Sequence, residues 1–523
     1  MSEVQGVPAA PDASPRPGSG VRRIARGAAW NWIGIAIAGG VGFFLSPYVV
    51  RHLGSTSYGV WVLVNSLVLY MAVLDLGIRG AVVRFVSADQ PHGRHGDASD
   101  AVSAALWFRI WLGGLVLAVT VVLALVATRL FDIPEALHQA TRIAILLSGT
   151  NLILSLGFGV FSGVLNALHR FDLLNIAGIG QALLNAAGVV VLLAYGHGIA
   201  SLALWQLVVG LMNSAFLCRA AFLIYPELRL RWRPPGRALV RKFGSYSLYL
   251  FMLAAAGRVI YYTDNVIIGA MLPISAVTLY AIGFAPTQYL GQLLASVSVT
   301  LLPVASGLAA GDNTEQLRRL LLQGTRAVMA IALPLILGLL IRGKTFIALW
   351  MGPEYGEPSG QVLQVLMLSW LFLAGNSCAA NVVYGLSKHK PMALWTIPEA
   401  LANLGLSLLL VRRWGVIGAA WGTVLPSLIV TGIIWPRYTA AVVELPLRRY
   451  YVEAYLRPAV ALIPFAAACL LAERWWPARH LAGFFLQMAT LLPLAVLGMA
   501  LVFRPELTAF HRARNRVPRS PAA

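Results

Sequence analysis

Apolar runs of about twenty residues, broken by short polar segments, cover the chain from residue 28 to residue 503. The run AAWNWIGIAIAGGVGFFLSPYVV begins the pattern at residue 28, and LAGFFLQMATLLPLAVLGMALVF closes it. At a rise of about 1.5 Å per residue, roughly 20 apolar residues in a helix match the hydrocarbon thickness of a bilayer. The pattern predicts about fourteen spanning helices. They fall at 28–50, 59–86, 101–127, 141–165, 173–195, 199–224, 246–271, 275–305, 321–341, 361–385, 391–411, 415–436, 453–472 and 481–503. Connections as short as YGHG at 195–198 make the helices on either side antiparallel neighbours. The basic break YPELRLRWRPPGRALVRKFGS, 225–245, divides the first twelve spans into six plus six. Each half opens on a basic lead, VRRIARGAAW and then GRALVRKFGS, that runs into a long apolar helix.

The predicted architecture is therefore an all-α integral membrane protein. Two six-helix lobes surround a central cavity, and two extra helices follow at the C-terminus. The expected divisions are a disordered tail at 1–20, an N-terminal lobe at 21–225, a basic linker at 226–243, a C-terminal lobe at 244–440, helices 13 and 14 at 441–505, and a basic tail at 506–523.

Composition agrees with the pattern. The chain is 59% hydrophobic and 11% charged, whereas soluble domains carry about 25% charged residues. The net charge of +20 is spread over short segments between apolar runs, so it does not form the single basic face that nucleic acid requires. With the N-terminus placed in the cytoplasm, Lys and Arg favour the cytoplasmic segments about threefold, which orients both termini there. Such segments also meet anionic lipid headgroups. The three cysteines are scattered among apolar runs and give neither a disulfide framework nor metal-ligand spacing. The first apolar run is too long for a signal-peptide core and reads as a retained helix.

Charges inside the runs are the candidate chemistry. In VLDLGIRGAVVRF, 73–85, Arg84 lies at the interface, where a long side chain snorkels. Asp75 lies about 13 Å deeper, and Arg79, four residues on, shares its helical face in the favourable order. Arg109 in the third span is expected at the same depth as Asp75, about 12 Å in. These three charges either fix helices or line a substrate path. The seventh span places Arg258 near mid-membrane, with Tyr261, Tyr262, Asp264 and Asn265 on a polar face that cannot look at lipid. Glu399 is a further intramembrane carboxylate, and Asn31 stands between Trp30 and Trp32. Gly159 and Gly163 form a G-x-x-x-G, a close-packing signature, and Pro286, Pro303, Pro334, Pro398 and Pro426 interrupt late spans. No H-E-x-x-H, Walker loop or G-x-S-x-G is present. A transporter is expected, not an enzyme.

The pattern LG…YGVW…DLG in RHLGSTSYGVWVLVNSLVLYMAVLDLGIRGAVVRF, with TDNVIIGAML at 263–272 and FIALWMGPEY at 346–355, resembles the bacterial polysaccharide-biosynthesis flippases. These form part of the multidrug/oligosaccharidyl-lipid/polysaccharide exporter superfamily. The resemblance implies translocation of an undecaprenyl-pyrophosphate-linked oligosaccharide across the bacterial inner membrane by alternating access, for surface polysaccharide such as O-antigen. Under it, Arg258 with Arg79 and Arg109 supplies cations for the pyrophosphate, and Tyr261 and Tyr262 stack on sugars. Asn265 and Asn31 add polar contacts. Asp75, Asp264 and Glu399 become candidates for ion pairing or for proton or sodium coupling. No cofactor or metal is implied. The partners are the lipid-linked oligosaccharide, membrane lipids and other polysaccharide-assembly proteins. A cation-coupled multidrug exporter and a membrane glycan polymerase or ligase are the competing readings. Mid-membrane Arg258 counts against the first, and the short outer loops count against the second.

Overall fold

The computed structural model describes residues 19–75, 77–231, 255–298, 301–311 and 313–515, with side chains from Gly34 to Arg504 apart from Pro91, Pro303 and Ala310. The predicted tail, all but its last two residues, and most of the basic linker lie outside the described residues. Every described element is helical.

The first element, α1 (Ser19–Met71), is about 80 Å long at the helical rise, so it holds two crossings. The expected loop at 51–58 is absent. A single residue, Gly54 at φ 74°, turns the chain instead, and glycine alone adopts that backbone without a Cβ penalty. The second crossing is itself interrupted. After a 3₁₀ turn at Ala72–Asp75 the backbone passes through Gly77 at φ 67°, and α2 (Ile78–Asp89) begins. The continuous helix expected over 59–86 is thus two pieces, and Asp75 and Arg79 do not belong to one helical face.

Four long helices complete the first half: α3 (His95–Leu130), α4 (Glu135–Ala167), α5 (Phe171–Ala194) and α6 (Ile199–Ile224). Helix α4 packs against α2, α3 and α6, and α5 packs against α1. Within the G-x-x-x-G, Gly163 closes on Val82 of α2, where a Cβ would lie 3.2 Å from Cγ1, whereas Gly159 faces open space. After α6 the start of the linker turns back along α3. There the backbone N–H groups of Arg229 and Arg231 donate to Ser99 Oγ at 3.1 Å and Ser103 Oγ at 2.9 Å.

The second half contains α7 (255–271), α8 (Ser275–Ser298), α9 (Leu301–Ala310), α10 (Thr314–Met351), α11 (Pro353–Gly385), α12 (Lys390–Trp414) and α13 (Val416–Ile429). A π-turn at Val430–Ile434 joins α13 to α14 (Trp435–Val442). Then come α15 (Leu447–Tyr451), α16 (Arg457–Ala461), α17 (Ile463–Trp475) and α18 (Leu481–Asn515). The connection left between the expected spans at 321–341 and 361–385 is helical as well. Gly352 at φ 134° is the whole connection, and Pro353 starts α11 at the helix position that proline tolerates best.

Among the described residues, eleven stretches are long and apolar enough to cross a membrane, and the first, Gly34–Asp89, contains both opening crossings. With α7 and α8, which stand at the seventh and eighth expected spans, the described helices accommodate fourteen crossings. The chain is a multi-pass membrane protein.

Buried ion pairs fasten the last two crossings to α10. Arg342, fully buried, donates to Glu473 Oε2 at 2.7 Å and to Gln487 Oε1 at 2.8 Å. Sixteen residues earlier on α10, Arg326 pairs with Glu453, which also receives Arg449 at 2.9 Å. Arg342 was expected in a loop; the extension of α10 carries it into the protein.

Candidate functional site

The two halves share a hydrogen-bonded seam between α1 and helices α7 and α8. Thr278 Oγ1 donates to the Ser55 carbonyl at 2.6 Å, and Asn265 Nδ2 donates to Ser66 Oγ at 3.0 Å. Tyr70 and Thr263 share a hydrogen bond between their hydroxyls. At Gly59 the backbones nearly touch, since a Cβ there would sit 2.3 Å from the Ile274 carbonyl oxygen.

Beside this seam lies a cavity of about 280 Å³. Helix α1 contributes Tyr58, Trp61, Asn65 and Ser66, α7 contributes Tyr262 and Asn265, and α8 contributes Gln288, Tyr289 and Gln292. The spacing follows the helical repeat, because residues three and four apart lie on one face of a helix. Among the described residues that line the cavity none is charged. Its chemistry is amides, hydroxyls and aromatic rings: donors and acceptors for a hydroxyl-rich ligand, and flat faces for a ring to lie on.

The sequence-predicted residues distribute around this cavity. Tyr262 and Asn265 line it. Arg258 stands one turn away on α7, half-buried, with its Cζ 5.6 Å from the centre of the Tyr262 ring. Tyr261 is 46% exposed and its ring lies tilted against Phe284 at 6.5 Å, outside the lining. Asp264 turns the other way, into its own half. It is 1% exposed and accepts hydrogen bonds from Tyr280 and Thr423 at 2.5 Å and from Ser407 at 2.8 Å. Three hydroxyls from α8, α12 and α13 thus converge on one carboxylate of α7. Glu399 is buried on α12, and Asn31 has its side chain outside the described residues. Asp75 accepts a charge-assisted hydrogen bond from Arg109, whereas Arg79 is exposed on α2. The structure therefore brings Asp75 and Arg109 together, and Arg258 with Tyr262, but places Asp264 away from both.

Tyr58, Trp61, Asn65, Ser66, Gln288, Tyr289 and Gln292 escaped the sequence reading. A signal was present: Gln288 and Gln292 sit four apart in an otherwise apolar helix, and Trp61 and Asn65 repeat that spacing on α1. Searching for charges passed over neutral amides.

The family model described as polysaccharide biosynthesis protein matches residues 24–309, more than half of the chain. The chain belongs to that family. Among its relatives, a Shigella flexneri protein named for O-antigen transport is 20% identical over 399 residues, covering 76% of this chain and 93% of its own. The Haloferax volcanii protein named as the flippase AglR is 22% identical over 397 residues, covering 74% and 77%. Solved structures share the fold. The lipid II flippase MurJ in its inward closed conformation superposes with a TM-score of 0.70 at 12% identity, covering 91% of this chain and 99% of that one. An inward-facing multidrug-resistance transporter of the MATE family gives 0.64 at 13% identity, covering 79% and 95%.

Proposed function

We propose that this protein is a flippase that carries a polyprenyl-pyrophosphate-linked oligosaccharide across the bacterial inner membrane for surface polysaccharide assembly. The observation that carries the reading is the uncharged amide-and-aromatic cavity at the seam between the halves, in a chain of the polysaccharide biosynthesis family. Sugars present hydroxyl groups and flat ring faces, which Asn65, Gln288, Gln292, Trp61 and Tyr262 complement. A cavity built for cationic drugs would carry a carboxylate at its wall. The lobes divide at the basic linker, 226–243, with both termini on the cytoplasmic side, and they exchange access by rocking about the seam. Arg258, one turn from the cavity, supplies a cation near the cargo. Asp264, wrapped by three hydroxyls in the second half, is the coupling candidate: a proton or sodium ion there alters how tightly α7, α8, α12 and α13 hold together.

The test is deletion of the gene followed by extraction of lipid-linked sugars. Accumulation of a complete lipid-linked oligosaccharide, with surface polysaccharide missing, supports the flippase and identifies its cargo by mass. Units that reach the outer face unpolymerised indicate a polymerase instead. An unchanged lipid-linked pool with greater sensitivity to cationic drugs indicates the exporter.

A further inference from the structure

Helix α1 carries a proline inside its first crossing, Pro47. Proline has no N–H, so the carbonyl four residues back, that of Phe43, loses its helical partner. A backbone carbonyl shut away from water without a donor is costly, and here the donor comes from the other half of the molecule. The indole Nε1 of Trp350, on α10, donates to the Phe43 carbonyl at 2.9 Å. The two rings also stack, with centroids 4.9 Å apart and planes 10° from parallel. Trp350 is buried. One side chain of the second half thus makes both a directional bond and a stacked contact with α1.

Neighbouring rings fix the pair in place. Phe346, one turn back on α10, stacks on Trp350 at 5.6 Å, and Phe485 of α18 meets Phe43 edge-on at 6.2 Å. Tyr289, which lines the cavity, stands edge-on to Phe43 at 6.4 Å and to Trp350 at 6.5 Å. The contact therefore backs the cavity wall. The first and ninth spans of an alternating series run the same way, and α10 ends at Met351, next to Trp350. The contact thus lies on the side of the molecule where Gly59 meets Ile274. Under the orientation proposed above, that is the outer side.

Resting on the rocking halves of the flippase reading, we propose that Trp350 is a latch that holds the outer end of the transport path shut. Its indole N–H occupies the carbonyl that Pro47 frees, and the bond breaks each time the halves part. Pro47 sets the strength of the latch, because a residue with an N–H at that position fills the carbonyl from within α1.

The full chain, with its three cysteines replaced by serine and with Ala281→Cys in the cavity, is labelled in whole cells by a membrane-impermeant maleimide. Trp350→Phe keeps a ring to stack but removes the donor. It is expected to raise the labelling rate about tenfold, the loss of one buried hydrogen bond. Pro47→Ala returns an N–H to the Phe43 carbonyl. Trp350→Phe added to the Pro47→Ala chain is therefore expected to change labelling by less than about twofold. Since the double variant leaves no carbonyl unpaired, its comparison with Pro47→Ala stands even where Trp350→Phe alone accumulates poorly. Labelling of Trp350→Phe within about twofold of the parent chain overturns the latch. So does an equal increase in both backgrounds, which makes Trp350 a packing residue with no special bond to the freed carbonyl. The deletion strain keeps the two readings apart. Labelling reports closure whatever the cargo, whereas an unchanged lipid-linked pool removes the flippase and leaves the latch standing.

Discussion

Arg109 keeps 2% of its side-chain surface, and Asp75, the carboxylate that it meets, keeps 41%. The asymmetry decides which half of the pair is harder to lose. Without Arg109, Asp75 still reaches water. Without Asp75, a guanidinium stays buried with no counter-charge, which costs on the order of 3 kcal/mol. Asp75→Ala is therefore expected to lower the amount of folded protein in membranes, whereas Arg109→Met holds its amount but loses transport. Immunoblots of membrane fractions beside surface-polysaccharide staining check both; equal abundance of the two variants contradicts the argument. The cavity makes a complementary case. Gln288→Leu and Gln292→Leu together remove amides without changing much volume, so export falls while abundance stays. Undiminished export by the double variant removes α8 from the sugar path.

At the scale of elements, the fastening of α17 and α18 to α10 depends on a few buried contacts. Arg342 is fully buried and Glu473 is its only carboxylate partner among the described residues. Glu473→Ala strands that charge and costs about 3 kcal/mol, whereas Arg342→Met with Glu473→Leu replaces the pair by apolar groups and recovers most of the loss. Thermal unfolding in detergent separates the outcomes: the double variant melts above the single one. This staple could not be read from the sequence, because Arg342 stands more than 130 positions before both of its partners and appeared to flank a loop. The crossings themselves were legible, since their length follows from bilayer thickness. The depth that set Asp75 level with Arg109 was also legible, since it follows from the helical rise. The interruption between Asp75 and Arg79 was not, because one glycine, Gly77, decides it, and glycines are common in spans of this kind. The surroundings of Asp264, itself a sequence candidate, escaped for another reason. Its three hydroxyl partners come from α8, α12 and α13, and only packing brings those helices to one point.

At the scale of the molecule, the halves close at one end on a contact that admits no side chain. Gly59 lies against the Ile274 carbonyl, and Thr278 reaches the Ser55 carbonyl four residues away. A flippase that alternates access must open this seam and reseal it in each cycle. A bulky residue at position 59 cannot reseal, because the atom that it meets is backbone, not the end of a movable side chain. Gly59→Val is therefore expected to leave the cavity reachable from the Ser55 end. The accessibility is measurable with Ala281→Cys, a small lining residue, in a chain whose three native cysteines are replaced by serine. In whole cells a membrane-impermeant maleimide should label position 281 faster in the Gly59→Val chain than in the chain with Gly59, and export should stop. If labelling is equal and export persists, the seam opens elsewhere. If labelling rises while export continues, closure at Gly59 is not a required step of the cycle, and the rocking motion proposed for the two halves has its obligatory barrier at another level of the bundle.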